Sequence, residues 1–330
     1  MSLLHESVQR SVRPALVPRR WHWRTWQDRV GHWAMASLAW AIIGLLVAIT
    51  GVLVLRAGGL LQVYPLSAIV FGVQWQPLRG TFGMAPFFVG TLLVTAVAML
   101  LAVPLAILSG IYLAEYTRPR TRLLLKPLTD LLAGMPPVVY GVWGVLVIVP
   151  LVRDVIAPIS TGTIGMLVPF LSNPRSSGYS VMAAGLVLSL MIFPIITAIT
   201  EEVLRAVPRE LREAAFALGA TRWEVSQITA FRAGLPGIIA AVVLGFSRAF
   251  GETLAVLMVV GNIPRIPPTL FDGSYTLSGL IANNYGEMMS VPLYERALMT
   301  AALALLAVVI SFNVGTWLFL TRRLQIGGSQ

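Results

Sequence analysis

A chain of 330 residues that is 57% hydrophobic and 12% charged, with a mean hydropathy of +0.80, lies outside the range of soluble domains, in which roughly a quarter of residues are charged. The net charge of +10 does not call for nucleic acid, because the basic residues sit in short segments between long apolar runs and not on one exposed domain. Cysteine is absent, which excludes disulfides, thiolate metal centres and a cysteine nucleophile, and His5, His22 and His32 all fall in the N-terminal tail, away from any site in a membrane core.

A hydrocarbon core about 30 Å thick requires about 20 apolar residues per helix. Residues 33–55, 87–113, 131–151, 181–199, 235–260 and 297–320 meet that length, which predicts an all-α integral membrane protein with six transmembrane helices. Residues 1–32 form a tail in which Trp21, Trp23 and Trp26 interleave with Arg19, Arg20 and Arg24, a mixture suited to a helix in the headgroup region beside anionic lipid. The run 33–55 is too long for a signal-peptide core and ends without a small-residue cleavage pattern, so it is expected to remain as a signal anchor.

Residues 56–86 read as an outer loop whose mixed apolar stretch, 65–75, is expected to be a surface helix. The main transmembrane domain then runs over 87–320. Its second helix in that region, 131–151, contains Pro136-Pro137, whose missing donors neighbouring helices must satisfy. Loops 152–180 and 261–296 are rich in Gly, Pro, Ser and Asn, as outer connections are. They show no metal-ligand spacing, and no cofactor is expected.

The bases set the orientation. The tail, the 114–130 loop, the 200–234 loop and the C-terminal segment 321–330 carry 17 of them. The other side carries six: Arg56, Arg79, Arg153, Arg175, Arg265 and Arg296. The positive-inside rule then puts both termini and the two richer loops in the cytoplasm.

The 200–234 loop has unusually complete helix signals. Pro208 suits a first helical position, Leu211, Ala214, Ala215 and Leu218 recur at helical spacing, and Gly219 suits a left-handed cap. Thr221-Arg222-Trp223-Glu224 then reads as a capping box opening a second helix. Two short helices hinged at a glycine serve equally as a lever between subunits or as an amphipathic helix resting on the bundle.

Within the run 235–260, Arg248 lies about 13 residues from the cytoplasmic end, or roughly 20 Å along the axis. An ionised group at mid-bilayer costs at least about 2.5 to 3.5 kcal/mol, so it faces a bundle interior or a watery path. Glu252, four residues on, is expected to share a helix face with Arg248 and lower its cost. That pair fits an internal ion pair that fixes packing. It fits equally a guanidinium fork presented to an oxyanion, with the carboxylate keeping the anion from lingering.

Glu213-Ala214-Ala215, followed after three residues by Gly219, resembles the EAA loop of binding-protein-dependent ABC importer permeases, which in that family docks into a cytoplasmic ATPase. The resemblance implies that Glu213, Ala214, Ala215 and Gly219 couple this chain to such an ATPase. Where the family pattern ends in Ile-x-Leu-Pro, this chain has Thr229-Ala230-Phe231-Arg232, with Pro236 four residues beyond.

Three further segments are similar to the PstC family, the permeases of phosphate importers. They are Arg248-Ala249-Phe250-Gly251-Glu252-Thr253-Leu254-Ala255-Val256 with Gly261-Asn262, Leu101-Ala102-Val103-Pro104-Leu105-Ala106 with Tyr112-Leu113-Ala114-Glu115, and Leu132-Ala133-Gly134-Met135-Pro136-Pro137-Val138-Val139-Tyr140-Gly141. The resemblance implies the type I, MetI-like permease fold of ABC importers, and a substrate pathway through Arg248, Glu252 and Thr253. It also implies partners: a homologous permease of the PstA type, two ATPase subunits of the PstB type, a phosphate-binding protein of the PstS type outside, and membrane lipid. The chain has no Gly-x-x-x-x-Gly-Lys-Ser/Thr loop, and its one lysine, Lys126, follows no such sequence, so nucleotide must be bound by another polypeptide.

Three other readings compete with a phosphate importer. An importer permease for sulfate, molybdate or phosphonate would carry the same EAA loop. An ion-coupled carrier would show more intramembrane carboxylates, inverted halves or broken helices near the midplane, whereas Glu252 is the one clear mid-span carboxylate. A membrane enzyme would need a nucleophile and base within reach of each other, and no such pair is visible.

Overall fold

Helix α1, Trp21–Leu61, runs 41 residues without a break in this computed structural model, as the absence of proline between Pro18 and Pro65 allows. Residues 21–32 therefore continue the helix of the first span and form no separate surface helix. The structure describes residues 21–163, 168–172, 176–288 and 291–327. The readings that rest on His5, Arg10, Arg13, Arg19, Arg20 and Arg175 lie outside them. Residues up to Val52 form one unit and those from Leu53 a second. In the first, Trp33, Leu38, Trp40 and Ile42 are all exposed, as lipid-facing side chains are.

The second unit begins with a packed outer segment. Only Leu66–Phe71 of the expected surface helix is helical (α2); beyond it β1, Trp75–Gln76, pairs antiparallel with β2, Thr81–Phe82. The Trp75 ring stands edge-on to Phe82, Phe87 and Tyr294, with centroids 5.9, 5.1 and 5.8 Å away. Leu60, Ile69, Met84 and Leu277 close the same cluster, so the loop is tied down by its aromatics.

Helix α3, Ala85–Ile111, continues through a π-turn, Tyr112–Tyr116. The next helix, expected over 131–151, is corrected by the structure. Pro119–Gly134 form α4, an amphipathic helix carrying Arg120, Arg122, Lys126 and Asp130. Pro136 is extended (φ −60°, ψ 139°), and Pro137 opens α5, Pro137–Trp143. A residue before proline avoids the helical region, while proline at a first helical position loses no bond, so the tandem prolines start a helix instead of interrupting one. Short helices α6, Val149–Leu151, and α7, Ala157–Thr163, joined by π-turns Gly144–Ile148 and Val152–Ile156, complete a span over Pro137–Gly162.

Helix α8, Val181–Ala206, starts on the Ser180 side chain, which accepts the Ala183 N–H at 3.2 Å. It packs along α3, and the contact has a simple grammar. Val94, Ala98, Ala102, Ala106 and Gly110 recur every fourth residue on α3 and are buried, as are Ala184, Leu188, Ile192, Ile196, Thr200 and Leu204 on α8, with Gly185 against Val97 and Ala98 and Gly110 against Thr197 and Thr200 where the two helices meet. Ridges four residues apart interdigitate in this way, and small side chains let the backbones approach. At Gly110 a Cβ would fall 2.7 Å from the Thr200 Cβ.

The remaining helices are α9, Arg209–Ala217; α10, Arg222–Gln227; α11, Leu235–Gly251; α12, Leu254–Val259; α13, Leu277–Met288; and α14, Pro292–Gly327. Among the described residues five helices are long and apolar enough to cross a membrane, and a sixth if Arg222–Ala233 and Leu235–Gly251, bent by 70°, are counted together. The expected 261–296 connection contains α13, whose first turn is buried and whose Leu277 N–H donates to Thr91 Oγ1 at 3.0 Å.

Candidate functional site

Helix α11 begins at a bend. A π-turn, Ile228–Ala233, and Gly234 lead into Leu235, with Pro236 in the first turn where its missing donor is harmless. Ile238, Ala241, Gly245 and Ala249 are buried, where α11 packs on α3 and α8. On another side Phe246 stacks on Phe312 at 3.7 Å, and Ser247 Oγ donates to Asn313 Oδ1 at 3.0 Å, tying α11 to α14. Arg248 is left exposed on the surface of the single chain.

The expectation that Arg248 and Glu252 share one helix face is overturned. Helix α11 ends at Gly251, and Glu252 takes an extended conformation (φ −67°, ψ 131°). Three bonds hold the break open. The Glu252 carboxylate accepts the Ala255 N–H at 3.4 Å, the Glu252 carbonyl accepts the Ser278 hydroxyl at 2.9 Å, and the Thr253 hydroxyl donates to the Gly251 carbonyl at 3.2 Å. The carboxylate thus serves the positive start of α12. Among the described residues Arg248 makes no ion pair with it.

Arg248 therefore stands exposed in the last turn of α11, just before the break at Glu252 and Thr253. Broken helices of this kind occur where backbone and side chains line a path.

The knob formed by α9 and α10 matches its helix signals closely. Gly219 has φ 84°, the left-handed cap, and both halves of the capping box form: Thr221 Oγ1 accepts the Glu224 N–H at 3.3 Å, and the Thr221 N–H donates to Glu224 Oε2 at 2.7 Å. Pro208 proves to be the residue before the helix, which starts at Arg209. Glu213 and Ala214 are exposed, while Ala215 is buried and holds the helix to the protein. Phe216, Trp223 and Phe231 are exposed too, and Leu218 is 89% exposed. Leu218, Gly219, Ile228 and Phe231 line a groove of about 660 Å³. Glu224, Gln227 and Arg232 line the same groove, so apolar and charged side chains share it. Removing the cap hydroxyl in Thr221→Ala should lower stability by about 1 kcal/mol, measured as a drop in the melting temperature of the purified protein in detergent.

Two ion pairs near the ends of the spans were not foreseen. Arg122 of α4 pairs with Glu201 of α8, a carboxylate only 1% exposed. Arg212 of α9 pairs with Glu115 at 2.9 Å. The partners are 79 and 97 residues apart, so no local spacing pointed to them. The surplus of arginine in these loops was the one visible sign.

Comparison with known proteins shows the family. Residues 102–322 match the family described as binding-protein-dependent transport system inner membrane component. A protein of Xylella fastidiosa (strain 9a5c) named phosphate transport system permease protein PstC is 35% identical over 254 residues, 76% of this chain and 78% of that one. Its namesake in Mycobacterium leprae is 39% identical over 235 residues, 70% of this chain and 73% of that one. Among solved structures, a chain of the MetNI methionine ABC transporter in an inward-facing conformation is 17% identical, with a TM-score of 0.48, over 76% of this chain and 97% of that one. A mostly helical chain with several spans, a break after α11 and a capped knob, matched over two thirds of its length, belongs to the binding-protein-dependent transport system inner membrane component family and is a multi-pass protein of the inner membrane.

Proposed function

We propose that the chain is the permease subunit that carries inorganic phosphate in an ATP-driven importer, with both termini in the cytoplasm. The observation that carries the reading is Arg248, exposed on the single chain in the last turn of the apolar helix α11 and, among the described residues, without an ion pair. Facing lipid, that charge would cost at least about 2.5 to 3.5 kcal/mol, so its surface belongs against a second permease subunit of the PstA type, with a polar path between them. A guanidinium donates in a planar fork that matches phosphate oxygens, and the PstC names of the relatives favour phosphate among oxyanions.

In this reading Glu213, Ala214, Ala215 and Gly219 present the knob to one of two ATPase subunits of the PstB type. A phosphate-binding protein of the PstS type delivers substrate at the outer face. Arg248 draws the anion in, and Glu252 and Thr253, at the break, let it pass without being held. The reaction on ATP belongs to the ATPase subunits.

Competition for uptake tests the substrate. In cells whose phosphate uptake depends on this complex, excess unlabelled phosphate should suppress entry of labelled phosphate, and excess sulfate, molybdate or phosphonate should leave it unchanged. Equal suppression by one of the other anions would sink the phosphate assignment and leave an importer of that oxyanion.

A further inference from the structure

Arg212 stands immediately before Glu213 on α9, yet it does not belong to the exposed docking surface. Its side chain is 17% exposed and that of Glu115 is 9% exposed. Nε donates to both Glu115 oxygens, at 3.2 and 3.1 Å, and Nη2 donates to Glu115 Oε1 at 2.9 Å. The same guanidinium donates to the Leu204 carbonyl at 2.6 Å through Nη2 and to the Val207 carbonyl at 2.6 Å through Nη1. One planar group therefore caps two carbonyls at the end of α8 and holds a carboxylate in the π-turn that ends α3. It is itself carried by α9.

The chain between α8 and α9 is only Val207-Pro208. Ala215 packs α9 on the protein, and the Arg212 clamp ties it directly to the ends of α3 and α8. With Arg212 in place, α9 cannot turn without dragging the ends of α3 and α8. Those two helices pack on each other, and α11, which bears Arg248, packs on both. A push on α9 thus has a continuous path of side-chain contacts to the break at Glu252.

The geometry points to Arg212 as a positioning residue for coupling: it transmits movement of α9 to the spans, with Glu115 as its anchor. This inference rests on the reading of α9 as the ATPase-docking helix. Loss of the clamp should let the ATPases turn over while the pathway follows poorly, so that hydrolysis is uncoupled from transport.

The test uses the complete complex in proteoliposomes, with ATP hydrolysis and labelled phosphate uptake measured on the same sample for wild type, Arg212→Ala, Arg212→Lys and Glu115→Gln. With loss of several charge-assisted hydrogen bonds, the ratio of uptake to hydrolysis should fall about tenfold in Arg212→Ala while hydrolysis stays within about twofold. Arg212→Lys keeps the charge but cannot reach two carbonyls and the carboxylate in one plane, so its ratio should be intermediate. Glu115→Gln should move the ratio in the same direction. If Arg212→Ala does not assemble, the two conservative variants carry the test. Proportional loss of both activities would mark a merely structural pair, and an unchanged ratio would remove the coupling role; either overturns the proposal. Absence of ATP-dependent phosphate uptake in wild type would instead overturn the functional reading itself.

Discussion

Arg248→Gln is expected to reduce phosphate uptake at least about a hundredfold while the subunit still inserts and assembles. The size follows from what is removed. A hydrogen bond to a charged group contributes about 1.5 to 3 kcal/mol, and in this span the residue also supplies the one fixed cation that offsets an anion's loss of water. Because Arg248 is exposed and makes no ion pair among the described residues, its loss leaves no buried partner stranded, so folding should be spared. Arg248→Lys keeps the charge without the fork and should retain about a tenth of the rate. Uptake at the wild-type rate in Arg248→Gln would make the residue a part of the helix interface alone.

Arg122→Ala should have the largest effect on stability. Glu201 is 1% exposed, and Arg122 is the side chain that pairs with it. Removing one partner of a buried ion pair costs about 3 to 5 kcal/mol, because the other charge is left without compensation. The expected result is a strongly lowered melting temperature in detergent and little assembled complex. The double variant Arg122→Leu with Glu201→Leu, which removes both charges, should recover most of the loss. A single variant that melts with wild type would show that water reaches Glu201 and that the pair contributes little.

The knob was legible because its rules are local. A glycine in the left-handed region and a Thr-x-x-Glu capping box are decided within four residues, and Gly219, Thr221 and Glu224 behave as those rules require. The spans were legible for a similar reason, since length and apolarity suffice to mark them. The α3 and α8 stripes stand in plain view at every fourth residue, but choosing which two helices share them needs the fold.

The break at Glu252 was hidden by its dependence on a distant residue. Ser278, 26 positions away, holds the Glu252 carbonyl, and helical spacing alone favours a continuous run through Arg248 and Glu252. Trp75 was hidden in the same way, because its partners Phe87 and Tyr294 lie on α3 and α14. The tandem prolines were read as an interruption, when Pro137 at a helix start satisfies its geometry without loss. A broken helix near mid-span is also a feature of ion-coupled carriers. What separates the two classes here is family membership together with the capped knob.

The energy source is accordingly the most direct test of the central claim. The complete complex, with binding protein and ATPases, would be reconstituted in proteoliposomes, and labelled phosphate uptake measured with ATP alone and with an imposed proton or sodium gradient alone. The account predicts uptake with ATP and none with the gradient; uptake driven by the gradient in the absence of nucleotide would contradict it.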